Sequence, residues 1–308
     1  MPAEIPRVCA VILNVGGLKV MEDCLRSMDK VAYPALELIV AHNGPRDPEL
    51  EKAIRGFSGR ISEVIFNGGN VGFAAGNNPA IRAALARGAD FVLLLNDDTA
   101  VPPEFLGPLV AEAQKDPSIG AAGPRIFYAA APERIWFAGA SFDKETCSFS
   151  FPGADLTDAE YPAAGVQDTD YVTCCAALVS RRLLETVGLL DEGFFLYWED
   201  ADWGLRASGA GFRSVVIPAS RIWHKVSVSA GGNDSPFKIF HKARGRLRLA
   251  ARHSTAGVPA LLWGGLRDAA WLAFKSGQAG RFRKAAALLA GAAAYFLGGK
   301  GQGPAWLR

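Results

Sequence analysis

Four groups of residues in this 308-residue chain are of types that do chemistry. Asn96-Asp97-Asp98 follows the apolar run Phe91–Leu95. Two adjacent carboxylates at a buried strand end are costly unless something compensates their charge. A hard divalent cation with oxygen ligands would compensate it; the other reading is a polar turn in which Asp98 or Thr99 caps the next helix. Glu199, Asp200 and Asp202 lie inside the aromatic segment Phe194–Trp203, FFLYWEDADW. If a helix starts near Asp200, these acids decorate its first turn, where the dipole favours anions. The flanking rings equally describe a shielded pocket in which a carboxylate acquires a raised pKa and serves as a general base. His224 closes the run Arg221–Trp223 and is either structural or a metal ligand. The stretch Asn67–Asn78, NGGNVGFAAGNN, sets small residues before a helix, where an anion can approach closely. It is neither a dinucleotide nor a P-loop fingerprint, and the chain has no G-x-S-x-G elbow of a serine hydrolase.

These residues need elements to hold them. Val8–Leu13, Leu36–Ala41, Val64–Phe66 and Phe91–Leu95 read as strands buried on both faces, with helices over Leu18–Met28 and Ala74–Arg87. Strands alternating with helices imply βαβ units and a parallel sheet. Ligands of such sheets sit beyond the carboxyl ends of the strands, where Asn14, His42-Asn43 and Asn96-Asp97-Asp98 fall. After about Gly123 the pattern becomes mixed. Strand-like pieces at Ile135–Ala138, Tyr171–Val179, Arg213–Ile217 and Arg221–Trp223 alternate with helices at Arg181–Val187 and Asp200–Ser208. This second half is expected to complete the same sheet. The fold class is therefore α/β, a central, mostly parallel mixed sheet flanked by helices.

Half the residues are hydrophobic and 21% are charged, a globular composition that excludes disorder and collagen-like structure. Five cysteines, an odd number with no C-x-x-C pair, argue against a disulfide framework and against a zinc site. Met1–Arg7 has neither the basic region nor the apolar core of a signal peptide, so a cytoplasmic location is expected. The net charge of +2 conceals an asymmetry. From Ser235 onward, thirteen Lys and Arg face one acid, Asp268, which leaves the first 234 residues net acidic. No nucleic-acid recognition motif accompanies the basic tail, so no nucleic-acid partner is expected.

The ordered set VILNVGG, LIVAHNG, NGGNVGFAAGNN, LLLNDDT and FFLYWEDADWGLRASGAGFRSVVIPASRIWH resembles the family 2 glycosyltransferases of the GT-A fold, and within them the bacterial rhamnosyltransferase-like enzymes of cell-surface polysaccharide synthesis. The resemblance covers about residues 6–225. It implies a GT-A domain over residues 1–235, with a nucleotide-binding half at about 6–123 and an acceptor-side half at about 124–235, then a helical basic extension over 236–308. It implies an inverting, metal-dependent transferase that moves a sugar, rhamnose being one candidate, from a nucleoside diphosphate donor to a glycan or lipid-linked acceptor. Asp98 and His224 would hold Mg²⁺ or Mn²⁺. Asn14, His42, Asn43, Gly72, Asn78, Asn96 and Asp97 would line the donor site, with Asn96 standing where relatives carry the first acid of a D-x-D motif. Asp200 would be the catalytic base and Glu199 would orient the acceptor, in a pocket shared with Trp198, Asp202, Cys174 and Cys175. A nucleotidyltransferase would need a basic phosphate-gripping loop after the first strand, and only Lys19 is near. A non-catalytic sugar-nucleotide or glycan-binding module would have no use for acids at both 98 and 200.

The tail adds a partner. Lys238, Lys242, Arg244, Arg246, Arg248 and Arg252 form a basic cluster, and Leu262, Trp263, Trp271 and Phe274 could dip into a membrane interface from an amphipathic helix. The expectation is peripheral binding to the inner face of the cell membrane. The alternative is that these helices pack on the catalytic domain or form a homo-oligomer interface.

Overall fold

The computed structural model describes residues 5–162, 165–226, 235–274, 277 and 279–307. The chain runs β1 (Val8–Asn14), α1 (Leu18–Asp29), β2 (Leu36–His42), α2 (Pro48–Arg55), β3 (Ile61–Phe66), α3 (Phe73–Ala86) and β4 (Phe91–Asn96). Then come β5 (Thr99–Ala100), α4 (Leu106–Lys115), β6 (Ile119–Tyr128), β7 (Ile135–Phe137), the hairpin β8 (Ser141–Asp143) and β9 (Ser148–Ser150), β10 (Gln167–Thr169) and β11 (Ala176–Ser180). The rest is α5 (Arg181–Val187), α6 (Glu199–Gly209), β12 (Arg213–His224), α7 (Pro236–His253), α8 (Gly257–Phe274) and α9 (Arg281–Phe296).

The main sheet has the order β10-β12-β6-β11-β4-β1-β2-β3, with β5 on β12 and β7 on β6. β3, β2, β1 and β4 are parallel neighbours. β11 runs antiparallel to both β4 and β6, and β12 is parallel to β6. It follows that β4, β6 and β12 point the same way, so the carboxyl ends of β1, β2, β4 and β12 share one edge of the sheet. Asn14, His42, Asn96 and His224 are their last residues.

Alternation of side chains along each strand feeds two cores. Ala10, Ile12, Leu38, Val40, Leu93 and Leu95 face α1 and α4 through Met21, Leu25, Phe105 and Leu109. Cys9, Val11, Ile39, Ala41, Val92 and Leu94 face α3, α5 and α6 through Ile81, Leu183 and Trp203. Both faces are covered, which is why these strands read as continuous apolar runs. All five cysteines are buried and free.

Several elements depart from the sequence reading. β6, ten residues long at the middle of the sheet, is hidden by Gly120, Gly123 and Pro124. The glycines are there because a Cβ would strike Leu183 or Val172. α2 opens with Asp47 capping Glu49 and Leu50 and Pro48 at its first position, a start signal visible in the sequence. The two expected strands at 213–217 and 221–223 are one strand with an irregularity between Ile217 and Arg221. Residues 171–175 do not extend β11 and form the loop that leads into it.

α7 packs on the β8–β9 hairpin and the start of α6. Cys147, Leu249 and Ala250 share a core, and the Trp198 indole donates to the Lys242 carbonyl at 3.0 Å. The strongest joint is Asp202 of α6. Its fully buried carboxylate accepts from Arg206 Nε (2.8 Å), Arg252 Nη1 (2.9 Å) and His253 Nε2 (3.0 Å). Asp202 is therefore no part of an acceptor pocket, because its oxygens are consumed by this knot. The basic cluster expected to face a membrane is likewise mostly turned inward. Lys238 and Arg244 are buried, Arg244 donates to the Gly301 carbonyl, Arg246 to the Cys147 and Thr146 carbonyls, and Arg252 pairs with Asp191 and Asp202. Among the described residues no helix is long and apolar enough to cross a membrane.

Burial alone would raise the Asp202 pKa, but the hydrogen bonds from His253, Arg206 and Arg252 hold it down at about 2. Its stabilising contribution is present above the ordinary aspartate value and is lost as pH falls toward 2. Asp202→Asn should cost about 3–5 kcal/mol near neutral pH, because it leaves buried cations uncompensated. Urea unfolding across a pH series measures this, and the deficit relative to the parent should shrink as the pH is lowered below 4.

Candidate active site

The first acidic site stands at the shared strand edge. Asp97 leaves the end of β4 and accepts from Asn14 Nδ2 at 2.7 Å. Asn14 is itself fixed: its Oδ1 accepts from the Gly17 backbone at 3.0 Å and lies 2.9 Å from His42 Nδ1. The His42 ring meets Phe66 edge-on. Asn14 and His42 are thus brought together with Asp97, as a row that orients its carboxylate. Burial, and then the neighbouring Asp98, push the Asp97 pKa up to about 6.

Asp98 and His224 are brought together by pairing of β5 with β12, in which His224 faces Thr99. The Asp98 carbonyl accepts from the Lys225 backbone at 2.9 Å, and His224 Nε2 lies 3.0 Å from Asp98 Oδ1. Trp136 packs edge-on against the His224 ring, with centroids 4.4 Å apart. The sequence offered no role for Trp136; its place inside a short predicted strand was the only signal. One carboxylate oxygen and one imidazole nitrogen converge here. That donor set fits a divalent ion such as Mn²⁺ or Mg²⁺ whose other ligands come from elsewhere. Among the described residues no group of three His, Cys, Asp or Glu side chains could hold a metal ion, so a cation here would take its remaining ligands from a bound phosphate or water.

The second acidic site is the start of α6. Tyr197 and Trp198 both adopt left-handed backbone angles, φ 68° and 75°, which cost bulky residues of order 1–3 kcal/mol each. The cost is met by packing. Trp198 lies against Phe149, which meets Tyr171 edge-on, and Gly245 of α7 leaves the space its indole needs. The sharp turn sets Glu199 and Asp200 side by side at the helix start. Asp200 accepts from the Ala201 backbone at 2.9 Å and the Cys174 backbone at 3.4 Å, with Thr173 also bonding to it. Glu199 is buried and its Oε2 has no hydrogen-bond partner. Burial raises both pKa values, and the Asp200 charge raises Glu199 well above the ordinary range. More hydrogen bonds counter the rise for Asp200 than for Glu199, so Asp200 is the member better able to be ionised and Glu199 the one better able to keep a proton.

The two sites communicate through Cys174-Cys175. The Cys175 carbonyl accepts from the Asn96 backbone at 2.9 Å, while the Cys174 backbone donates to Asp200. Burial, and then the charges of Asp98 and Asp200, push the Cys175 thiol up. The two thiols are core groups, not pocket groups: Cys174 and Cys175 belong to opposite cores of the sheet.

Other expected donor contacts are committed to the protein. Asn43 donates to the Gly72 carbonyl at 2.9 Å and accepts from Asn67 at 2.9 Å. Gly72, at φ 94°, exists because a Cβ would come within 2.5 Å of the Phe195 carbonyl. Asn78 donates to the Leu190 carbonyl and to Glu192. The glycine-rich segment is small so that Asn43 and the 190–198 loop can close on it, and these three residues act as braces behind the site. Asn96 is used through its backbone, whose carbonyl accepts from Thr99 Oγ1 at 2.8 Å.

Residues 6–247 match the family described as glycosyltransferase like family 2. The chain is 29% identical over 247 residues to the uncharacterized protein y4gI of Sinorhizobium fredii, covering 76% of this chain but only 26% of that protein. It is 25% identical over 266 residues to the N-acetylglucosaminyl-diphospho-decaprenol L-rhamnosyltransferase of Mycobacterium tuberculosis, covering 79% of this chain and 84% of the relative. In structure it is similar to the mannosyltransferase PcManGT from Pyrobaculum calidifontis in complex with GDP-Man and Mn²⁺, with a TM-score of 0.57, 20% identity and coverage of 95% and 76% of the two chains. The fold is GT-A.

Glu199 also yields a stability prediction. Between the ordinary glutamate pKa and its raised folded value, the folded chain keeps a proton that the unfolded chain has released, so stability falls as pH rises through that window. Glu199→Gln removes this penalty. With no ligand added, the variant should melt at a higher temperature than the parent near neutral pH, and the difference should grow as pH rises through that window. The gap should close toward pH 4.5, the ordinary glutamate value. A pH series of thermal melts reads the difference.

Proposed function

The chain belongs to the glycosyltransferase-like family 2, and from that premise we propose that it transfers a sugar from a nucleoside diphosphate donor to a hydroxyl of a glycan or lipid-linked saccharide, with inversion. The observation that carries this reading is the pairing of two acidic sites of different character across Cys174-Cys175. One carries an oxygen and a nitrogen donor at a strand edge. The other is a desolvated carboxylate held by backbone N–H groups.

In this reading Asp98 and His224 hold a divalent cation, which when bound neutralises the charge that develops on a departing diphosphate. Asp97, fixed by Asn14, faces the donor's ribose or sugar. Asp200 takes the proton of the acceptor hydroxyl as that oxygen forms its bond to the anomeric carbon and the diphosphate oxygen leaves. Its raised pKa makes it a stronger base than an exposed aspartate. Glu199, protonated, can donate to an acceptor oxygen. One base opposite the leaving group gives a single displacement, and no enzyme nucleophile is needed. The rhamnosyltransferase relative and the polysaccharide setting of that resemblance support rhamnose as the sugar and a lipid-linked saccharide at the inner face of the cell membrane as the acceptor.

Two variants separate the sites. Asp98→Ala should abolish the Mn²⁺-dependent thermal shift given by a nucleoside diphosphate sugar, in a panel that includes rhamnosyl donors. Asp200→Asn should keep that shift while transfer falls about 10²–10⁴-fold. In the parent, the transfer rate should rise with pH through a value above the ordinary carboxylate range, as Asp200 loses its proton. Equal loss of donor binding in Asp200→Asn would move Asp200 into the donor site. Full transfer by Asp98→Ala at limiting metal would overturn the cation site.

A further inference from the structure

The C-terminal helices show an inside-out distribution of side-chain size. The buried residues of α8 and α9 are small: Ala269 on α8, and Ala285, Ala287, Gly291 and Ala292 on α9. The large apolar residues face out. On α8, Trp263, Leu266, Trp271 and Phe274 recur at helical spacing along one face, with Trp263 65% and Phe274 80% exposed. On α9, Phe282, Leu289 and Phe296 recur at intervals of seven, and Phe282 is 62% exposed. The two helices pack on each other, with Gly265 meeting Leu288. A water-facing surface would not concentrate aromatic rings this way; contiguous apolar patches of this kind mark a contact with another phase or another molecule.

The charge around the patch selects the occupant. From Gly257 to Leu307 the sequence carries Arg267, Lys275, Arg281, Arg283, Lys284 and Lys300 against Asp268 alone. Isologous pairing with a second copy would set these cations against themselves. An anionic bilayer surface accepts both features, with tryptophans at the headgroup level and cations toward the phosphates. No helix among the described residues can span a bilayer, so the pair would lie in the interface plane.

We propose that the exposed apolar face of α8 and α9, and not the basic row of α7, docks this chain on an anionic lipid surface. α7 instead ties that pair to the site: its His241 stacks on Phe195 at 4.9 Å, Phe240 packs on Ala287 of α9, and Gln302 beyond α9 donates to the Asn70 carbonyl at 2.7 Å. Docking would thus hold the acceptor-side half close to the membrane. The proposal takes only the location of the acceptor from the transfer reading, and its test needs neither donor nor acceptor.

The full-length chain is sedimented with sucrose-loaded vesicles of phosphatidylcholine, with and without phosphatidylglycerol, at low and high salt. Binding is expected to the mixed vesicles, weakening with salt. The double variant Trp263→Glu with Phe274→Glu should lose about tenfold or more of that binding, and Lys242→Glu, on the exposed side of α7, should stay within about twofold. Both altered side chains of the double variant are exposed, so its thermal melt should match the parent's. Should it not, quenching of tryptophan emission by bromine-labelled phospholipid in the unaltered chain gives the same decision. Absence of binding, equal binding by the double variant, or no quenching overturns the proposal. So does a dimer in sedimentation velocity that the double variant dissolves without any vesicle binding, which would assign the face to a second copy.

Discussion

Burying carboxylate charge at one edge of a sheet is the constraint on which the rest of this structure depends. Asp97, Asp98, Glu199 and Asp200 all stand where water is scarce, and each is handled differently. Asp97 receives one amide hydrogen bond from Asn14. Asp98 faces an imidazole. Asp200 receives backbone N–H groups, and Glu199 is left with a partnerless oxygen. Among the described residues, neither Glu199 nor Asp200 is paired with a guanidinium or ammonium group. Asp202, two residues beyond Asp200, is the contrast: two arginines and a histidine surround it. Asp202 is fully compensated within the fold, whereas compensation of Asp97, Glu199 and Asp200 is partial and burial leaves their pKa values raised.

The poised carboxylates require rigid surroundings, since an uncompensated charge relaxes toward any available donor or water. That requirement explains features remote from the chemistry. The left-handed pair Tyr197-Trp198 is pinned by α7 from one side, through the Lys242 carbonyl and the gap at Gly245. From the other side the Phe195 carbonyl accepts from the Phe73 backbone at 2.7 Å, against the close approach of Gly72. The Asp202 knot locks α6 to α7 just beyond Asp200. α7 is thus a support of this region, and most of its basic residues are spent on that support.

Much of the first half of the chain was legible in the sequence because its strands are buried on both faces and leave uninterrupted apolar runs. Val8–Leu13, Leu36–Ala41 and Phe91–Leu95 each match an observed strand to within one residue, and Arg181–Val187 matches its helix. The residues just past those strands were found for the same reason. β6 was not legible, since the glycines that let Leu183 and Val172 pack against it also erase a strand's sequence signature. Nor was the inward turn of the α7 cations, because Lys and Arg look alike in sequence whether they face solvent or a buried carbonyl.

The sequence by itself determined the kinds of groups available and the ends of the strands that would carry them: two adjacent acids after β4, an acidic aromatic segment, and a histidine closing a strand. Period, composition and residue type are local properties, and they suffice for that. Only the tertiary structure decided which of these groups meet. Asp98 and His224 lie 126 positions apart in sequence and touch because β11 reverses between β4 and β6, aligning β12 with β4. Asn43, Gly72 and Asn78 sit beside the same edge but turn to brace loops, and Asp202 turns from the site into a knot. Those outcomes depend on which partner wins each hydrogen bond, a competition among residues distant in sequence that no local pattern encodes.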